Sequence, residues 1–177
     1  LVQKMNAGSV AVVINIDCNP VYHFADDLGF EKALAKVPLS VTLTERLNET
    51  TAVTHYALPL NHNFESWGDA KVRTNVISLQ QPVIAPIYQT RQKESILLTW
   101  ISGKSDSFTE YMYLTYLKNN WEKNIYPTLN SKISFDKFWL GALHDGIVKT
   151  TSPVISYGAA NTGSFDESKI EIKNPEG

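Results

Sequence analysis

The sequence contains very little cysteine and little charge. Cys18 is the one cysteine among 177 residues, which excludes an internal disulfide and any metal or iron–sulfur site with several cysteine ligands within the chain. The 16 basic and 18 acidic residues leave a net charge of −2, so electrostatics gives no reason to expect a nucleic-acid partner. No apolar run approaches the roughly 20 residues of a membrane span. We therefore expect an ordinary globular chain, with 43% hydrophobic residues, that binds no nucleic acid and does not insert directly into a membrane.

The most apolar stretch of the chain runs from Val10 to Ile16, and Asn15 is its only polar residue. A run this short and this rich in β-branched residues is typical of a strand that is buried on both faces inside a parallel sheet. It stops at Asp17-Cys18-Asn19-Pro20, because proline cannot continue a central strand. Ligands of open parallel sheets bind beyond the carboxyl ends of the strands. If the chain forms a binding site, we expect it at Asp17–Pro20.

The next segment has the pattern of a helix and two more strands. A helix opens at Asp26 and Asp27 and ends before Pro38; its apolar residues at helical spacing are Phe30, Ala33, Leu34 and Val37. Leu39–Leu43 alternates like a strand, which predicts a right-handed βαβ unit. Asn48 is a predicted N-cap for a short helix over Glu49–Val53, and Tyr56–Leu58 is a predicted strand ended by Pro59. We expect an α/β fold: a three-layer, mostly parallel Rossmann-like sheet with helices on both faces and a helical C-terminal portion.

The rest of the chain divides into a loop, three helices and a tail. Residues 61–90 are predicted to form a long ordered loop with an extended segment at Val76–Leu79. Predicted helices follow at Lys93–Trp100, from a capping box at Ser107 and Glu110, and at Phe135–Leu143 before Gly146. We assign residues 1–156 to one domain and residues 157–177 to a tail, which is either mobile or paired as an edge strand at Ile170-Glu171-Ile172. Because Leu1–Asn6, before Gly8, has the pattern of a helix end, we interpret the chain as a piece of a longer protein.

Several polar and aromatic residues have a structural interpretation that we favour over a functional one. Glu45 and Glu49 lie near a predicted helix N-terminus, where acids stabilise the helix dipole, so we do not assign them as a catalytic pair. His23, His55 and His62 lack metal-ligand spacing. Cys18 has no cation nearby in sequence and is expected to be a buried, inert thiol. An aromatic stripe is expected to be core, the alternative being a face that once covered a neighbouring domain; it consists of Tyr111, Trp121, Phe135, Phe138 and Trp139. We predict no catalytic residue and no metal ligand.

Five short motifs follow one another between Gly8 and about Arg91. They are the strand into Asn19-Pro20, Val41–Thr44, Asn48-Glu49-Thr50-Thr51, Tyr56-Ala57-Leu58-Pro59, and Glu65 with Gly68. This order resembles the third, Rossmann-like domain of the molybdopterin oxidoreductase family of dimethyl sulfoxide reductase type. Ser78-Leu79-Gln80-Gln81-Pro82 with Ala85-Pro86-Ile87 is most similar to one branch, the fused molybdopterin-like and iron–sulfur subunit of alternative complex III, a bacterial quinol-oxidising membrane complex.

The resemblance implies a position for a cofactor. In family members that carry it, the loops after these strands help to hold one molybdopterin guanine dinucleotide, and other segments supply the metal ligand and the iron–sulfur cysteines. The positions that correspond to these loops are Asn19, Pro20, Thr44, Glu49 and Thr50.

The sequence departs from the family at three of the corresponding positions. Asp17 stands where the family has glycine, which adds bulk and negative charge beside a pyrophosphate. Thr44 replaces the aspartate that hydrogen-bonds guanine, and His55 replaces the aspartate of the motif before Leu58-Pro59. We interpret the site as vestigial and expect no cofactor in this fragment.

Three functions remain open at this point. By resemblance, the chain is a structural fragment of a molybdopterin oxidoreductase-like iron–sulfur subunit in respiratory electron transfer, inactive on its own. Its partners are then other domains of the same parent chain and subunits of a membrane complex, and the parent faces the periplasm in association with the membrane. The second interpretation is a domain that still supplies half of a molybdopterin guanine dinucleotide site in an active molybdenum oxidoreductase. The third is an independent α/β binding module.

Overall fold

The computed structural model describes residues 1–150. Its strands are β1 (Val12–Ile16), β2 (Leu39–Thr44), β3 (Tyr56–Pro59), β4 (Gly68–Arg73), β5 (Val76–Gln80) and β6 (Ile147–Lys149). Its α-helices are α1 (Val2–Asn6), α2 (Pro20–His23), α3 (Phe30–Leu34), α4 (Glu49–Val53), α5 (Lys93–Ser102), α6 (Met112–Asn120) and α7 (Phe135–Asp145). The predicted edge strand at Ile170–Ile172 and the boundary after residue 156 lie outside the described residues. Within residues 1–150, no helix is both long enough and apolar enough to cross a membrane.

A three-stranded parallel sheet in the order β1-β2-β3 confirms the predicted α/β class. Both connections between its strands lie on the same face, where α2, α3 and α4 pack against one another. Val13 of β1 points into the core on this face. The other buried members of this core are Met5, Phe30, Ala33, Leu34 and Val37. The apolar spacing read from the sequence therefore identified the buried side of α3.

The opposite face of the parallel sheet is largely uncovered in residues 1–150. Val12 and Ile14 of β1 are exposed, so the prediction that this strand is buried on both faces is wrong for the described chain. Helix α5 reaches this face only near the carboxyl ends of the strands, where Ile96 packs with Leu43 and Leu60. The apolar composition of a strand shows that its faces favour burial. Whether they are buried depends on which other elements cover them.

The segment that was predicted as a long loop contains the antiparallel hairpin β4–β5, and β6 pairs with β5 to complete a second sheet. The predicted extended segment Val76–Leu79 lies in β5. Helices α6 and α7 cover this sheet, with Trp121 and Trp139 buried edge to face at 5.6 Å between ring centroids. These two tryptophans are core, as predicted. Tyr111, in contrast, is 68% exposed and lies outside the core.

Local sequence signals predicted some helix ends correctly and others incorrectly. Asn48 caps α4 as predicted, because its Oδ1 accepts the Thr51 N–H at 3.0 Å. The capping box at Ser107 is wrong: α6 starts at Met112, and the Ser107 hydroxyl instead donates to the Lys104 carbonyl at 2.7 Å. The helix predicted from Asp26 is interrupted, since Gly29 adopts a left-handed φ of +59° between a 3₁₀ turn and α3.

Candidate functional site

A groove lies beyond the carboxyl ends of β1 and β2, at the edge where the sequence predicts a site. It is open, with a volume of about 480 Å³, and is lined by the turns after the two strands, including Asp17, Asn19, Thr44 and Glu45. A second cavity of about 200 Å³ adjoins it and shares Asp17 and Glu45. Strand β4 and the first residues of α5 form the far side of this cavity. The two cavities together are the candidate site.

Asn19, Glu49 and Thr50 are brought together by the fold, but their polar groups bind one another. The Asn19 Nδ2 donates to Glu49 Oε2 at 2.6 Å. The Asn19 Oδ1 accepts from the Thr50 backbone N–H at 3.2 Å and from the Thr50 hydroxyl at 2.7 Å. Thr50 is fully buried, and its Oγ1 also accepts the Val21 N–H at 3.1 Å. We call Asn19, Glu49 and Thr50 the latch, because they join the turn after β1 to the first turn of α4.

The hydrogen bonds of the latch favour the ionised form of Glu49. The hydrogen bond that Glu49 accepts from Asn19 lowers the pKa of Glu49, and the backbone of the first turn of α4 lowers this pKa further. Glu49 therefore stays ionised and hydrogen-bonded. It and Thr50 do not line either cavity.

The remaining predicted cofactor positions have separate roles. Pro20 is the first residue of α2, where its missing N–H costs no hydrogen bond. Thr44 lines the groove, and its hydroxyl donates to the Arg46 carbonyl at 3.1 Å and so closes the turn after β2. His55 is not at this edge: it precedes the amino end of β3, where its Nδ1 accepts the Ser40 N–H at 3.1 Å.

Asp17 has an unusual backbone conformation and a long-range partner. Its φ is +52°, in the left-handed region that glycine adopts without strain. Its Oδ2 accepts from Lys93 Nζ at 2.9 Å, across 76 residues of sequence. That hydrogen bond raises the pKa of Lys93, so the ammonium stays charged. Sequence reasoning missed Lys93 because nothing local marks the first residue of a helix as the partner of a distant turn.

The smaller cavity of the candidate site is acidic, whereas the groove is lined by Arg46 as well as by Asp17 and Glu45. Asp17, Glu45, Asp69 and Glu94 line the smaller cavity, and among the described residues Lys93 is its one lysine or arginine. Asp69 has a structural partner, since its Oδ2 accepts the Trp121 indole N–H at 2.7 Å. Carboxylates at this density oppose the binding of a pyrophosphate, and the Asp17 side chain fills the position that the family leaves to glycine. The residues of the smaller cavity therefore fit an anionic group poorly, whereas the groove also offers the guanidinium of Arg46.

The chemistry of the other candidate residues follows from their positions. Cys18 is exposed and lines the groove, so the prediction of a buried thiol is wrong; the turn after β1 carries it to the surface. His62 caps a 3₁₀ turn through its Nδ1, which accepts the Phe64 N–H at 3.1 Å. In the described part of the chain, no three or more His, Cys, Asp or Glu side chains are grouped as metal ligands.

Glu65 organises the wall beside the site, a role that the sequence did not reveal. Its Oε1 accepts the Ile87 N–H at 3.0 Å, and its Oε2 accepts the His62 N–H at 2.9 Å. These two backbone donors, that of Ile87 most strongly, lower the pKa of Glu65. One carboxylate thus ties residues 82–92 to the turn after β3.

Three proteins with established names are similar to parts of this chain. The molybdopterin-containing subunit of the arsenate respiratory reductase of Chrysiogenes arsenatis is 31% identical over 124 residues, which is 66% of this chain and 14% of that protein. The molybdopterin-binding-like subunit of the menaquinone reductase of Nitratidesulfovibrio vulgaris is 32% identical over 92 residues, or 50% of this chain and 13% of that protein. One subunit of the tetrathionate reductase of Salmonella typhimurium is 38% identical over 55 residues, or 29% of this chain and 5% of that protein.

These similarities cover short parts of much longer proteins. The chain spans 5% to 14% of the length of the three relatives. No model of a protein family matches it. Two of the relatives have molybdopterin in their names, in agreement with the resemblance found in the motifs. The comparisons therefore support the similarity of this chain to the molybdopterin oxidoreductase family.

Proposed function

We propose that this chain is a structural domain of a molybdopterin oxidoreductase-like subunit that works in respiratory electron transfer, and that its cofactor site is degenerate. The observation that carries the proposal is the latch. Three of the positions where the resemblance implies cofactor contacts are occupied by side chains that hydrogen-bond one another. Their polar groups serve the fold and leave little for a ligand.

The charges at the groove support the same proposal. A pyrophosphate at this edge would meet two carboxylates, those of Asp17 and Glu45, against the one guanidinium of Arg46. One pair of like charges 4 Å apart costs about 4 kcal/mol at an effective dielectric constant near 20. Lys93, the nearest cation to Asp17, is already bound to that carboxylate. Thr44 supplies a hydroxyl where a carboxylate is needed to bind guanine, which removes a charge-assisted hydrogen bond.

The parent that we propose is the fused molybdopterin-like and iron–sulfur subunit of alternative complex III. The support is the motif resemblance at Ser78–Pro82 and Ala85–Ile87. The similarity to the menaquinone reductase subunit, which is described as molybdopterin-binding-like, agrees with a degenerate domain in a quinone-linked system. Its partners are then the other domains of the parent chain and the subunits of a membrane complex.

The test is metal and pterin analysis of the protein purified from its full-length gene. We expect iron, because the proposed parent carries iron–sulfur clusters. We expect no molybdenum or pterin, because the smaller cavity is acidic and the latch residues bind one another. One molybdenum and pterin per chain would refute the degenerate site. That result would favour the second candidate, a domain that supplies half of the dinucleotide site of an active reductase, which the similarity to the arsenate reductase subunit supports.

A further inference from the structure

A third cavity, larger than the two of the candidate site, lies beside the segment from residue 82 to residue 92. Its volume is about 860 Å³, within the range of about 300–1,000 Å³ that is usual for small-molecule sites. The turn after β3, the first turn of α5 and residues 108–111 form its other walls. It adjoins the smaller cavity, with which it shares Asn61 and Trp67. We call it the loop cavity.

Hydrogen bonds hold the walls of the loop cavity in place. The Phe64 carbonyl accepts the Val83 N–H at 2.8 Å. The carboxamide of Gln92 binds the backbone of Trp67 in both directions, since its Nε2 donates to the carbonyl at 2.7 Å and its Oε1 accepts the N–H at 3.3 Å. These contacts fix residues 82–92 around the cavity before any ligand binds, as in a preformed binding site.

Two buried oxygens on the wall of the loop cavity have no hydrogen-bond partner. They are Asn61 Oδ1 and Ser95 Oγ, and no other buried side-chain nitrogen or oxygen of residues 1–150 lacks a partner. Ser95 is only 1% exposed. More than about 90% of buried polar groups in proteins are hydrogen-bonded. Two exceptions at one cavity therefore point to a molecule that binds there through hydrogen bonds.

These oxygens select a ligand that carries a hydrogen-bond donor. The Asn61 Nδ2 donates to the Glu65 carbonyl at 3.4 Å, so the unpaired atom of this carboxamide is its acceptor. An N–H or O–H group satisfies that acceptor, and the Ser95 hydroxyl can accept from the same kind of group.

The remaining walls of the loop cavity are aromatic and apolar. Four aromatic residues line it, Trp67, Tyr88, Phe108 and Tyr111, and Pro82–Pro86 is an unbroken apolar stretch of the same wall. Aromatic rings favour flat ligands, because stacking buries a large area of both partners. Apolar and aromatic walls with a few placed polar groups are typical of a small-molecule site.

The charges of the loop cavity favour a neutral ligand. Its charged residues are Glu65, Arg91 and Glu110. Both carboxylate oxygens of Glu65 accept backbone N–H groups, and the Arg91 guanidinium stacks on the Phe108 ring at 4.3 Å from its centroid. Arg91 and Glu110 carry opposite charges. Once the bonded carboxylate of Glu65 is set aside, no net charge attracts an ion of either sign.

We propose that the loop cavity binds a neutral, planar aromatic molecule that carries an N–H or O–H donor, with Asn61 and Ser95 as its hydrogen-bonding residues. The proposal does not rest on the proposed function, because none of the predicted cofactor positions lines this cavity. Either proposal can fail without the other.

The test uses the protein purified from its full-length gene, with indole as the probe and saturation-transfer difference NMR as the measurement. Indole is neutral and planar and has one N–H donor, whereas 1-methylindole has the same rings without the donor. We expect indole to bind about threefold to tenfold more tightly, the effect of one neutral hydrogen bond. Ala85→Trp fills the cavity and should remove this binding. Ala25→Trp is the matched control, since Ala25 is also exposed but lies outside the cavity.

Two further variants identify the residue that binds the donor. Because indole has one donor, Ser95→Ala or Asn61→Ala should lower its affinity about threefold to tenfold and leave that of 1-methylindole unchanged. Ser95→Ala should also keep the Tm of the wild type without ligand, because the hydroxyl that it removes is unpaired. A lower Tm with unchanged indole affinity in both variants would assign these oxygens to a structural role and overturn the proposal.

Two other results would also overturn the proposal and leave the proposed function standing. The first is equal affinity for indole and 1-methylindole, which would show that no hydrogen bond is made. The second is indole binding that Ala85→Trp does not reduce, or no binding at all. Absence of binding is the result expected if residues 151–177 or another domain of the full-length protein fill the loop cavity.

Discussion

Replacing Asn19 with alanine should destabilise the protein by about 2–4 kcal/mol, because it removes the carboxamide that holds the latch together. The change deprives the Thr50 backbone N–H and hydroxyl of their shared acceptor. Thr50 is fully buried, and each buried group without a partner costs about 1–3 kcal/mol. The Thr50 hydroxyl oxygen still accepts the Val21 N–H, so Val21 keeps its partner and the loss is confined to the two Thr50 donors. Glu49 is exposed and returns to water at little cost.

Urea denaturation followed by tryptophan fluorescence measures the loss directly. In a domain of this size, 2–4 kcal/mol corresponds to a drop of roughly 4–16 °C in Tm. Asn63→Ala is the matched control, since Asn63 lines the same groove with an exposed side chain, and its loss should stay within about 0.5 kcal/mol. If Asn19→Ala unfolds like the wild type with an unchanged m value, the latch does not stabilise the fold. Asn19 would then be free for a ligand, and the reasoning behind the proposed function would be refuted.

Two further predictions concern the neighbouring loop and the groove. The pKa of Glu65 is lower in the folded protein than in the unfolded chain, so its contribution to stability is complete above about pH 4.5 and is lost as the pH falls below that value. The Ile87 amide should therefore lose exchange protection in acid, and Glu65→Gln should lower that protection at neutral pH as well; equal protection in both proteins would contradict the assignment. Combining Asp17→Gly with Thr44→Asp removes one anion beside a pyrophosphate and restores one charge-assisted bond to guanine, worth roughly 1.5–3 kcal/mol. Amide NMR shifts on titration with GDP should then appear near millimolar concentration in the double variant alone, whereas equal binding by the wild type would show that the site was never lost.

Features that depend on a few neighbouring residues could be predicted from the sequence. The bounds of α4 were correct, because Asn48 and Thr51 form a reciprocal cap within four residues. The end of α7 was correctly marked by Gly146, whose φ of +69° is accessible to glycine without strain. The three parallel strands followed from short apolar runs that end at proline or polar turns. In each case the physical cause lies within one or two turns of the chain.

Features that depend on distant partners could not be predicted. The hairpin β4–β5 is built of polar and apolar residues without strong alternation in β4, and its strand β5 packs on α6 and α7. The carboxylate of Asp17 and the ammonium of Lys93 meet through the tertiary fold alone. The exposure of Cys18 and of Ile14 likewise depends on which elements cover the end and the face of β1. The sequence pattern indicates whether a residue favours burial or a polar partner, but it does not identify the distant residue that buries or binds it.

The structure separates the positions of the family motif into two kinds, and this separation explains how the resemblance can survive at a site that we propose to be degenerate. Asn19 and Thr50, which match the motif, connect the end of β1 to α4 and are needed wherever this pair of elements packs. Asp17 and Thr44, which depart from it, face the groove and bind Lys93 and the backbone of Arg46. A chain without its ligand can change the second kind with little effect on folding, since these side chains are partly or fully exposed. It cannot change the first kind without leaving the hydrogen-bond donors of the buried Thr50 unpaired. Motif positions within the latch are therefore evidence of fold, and the groove residues outside the latch are the evidence about the cofactor.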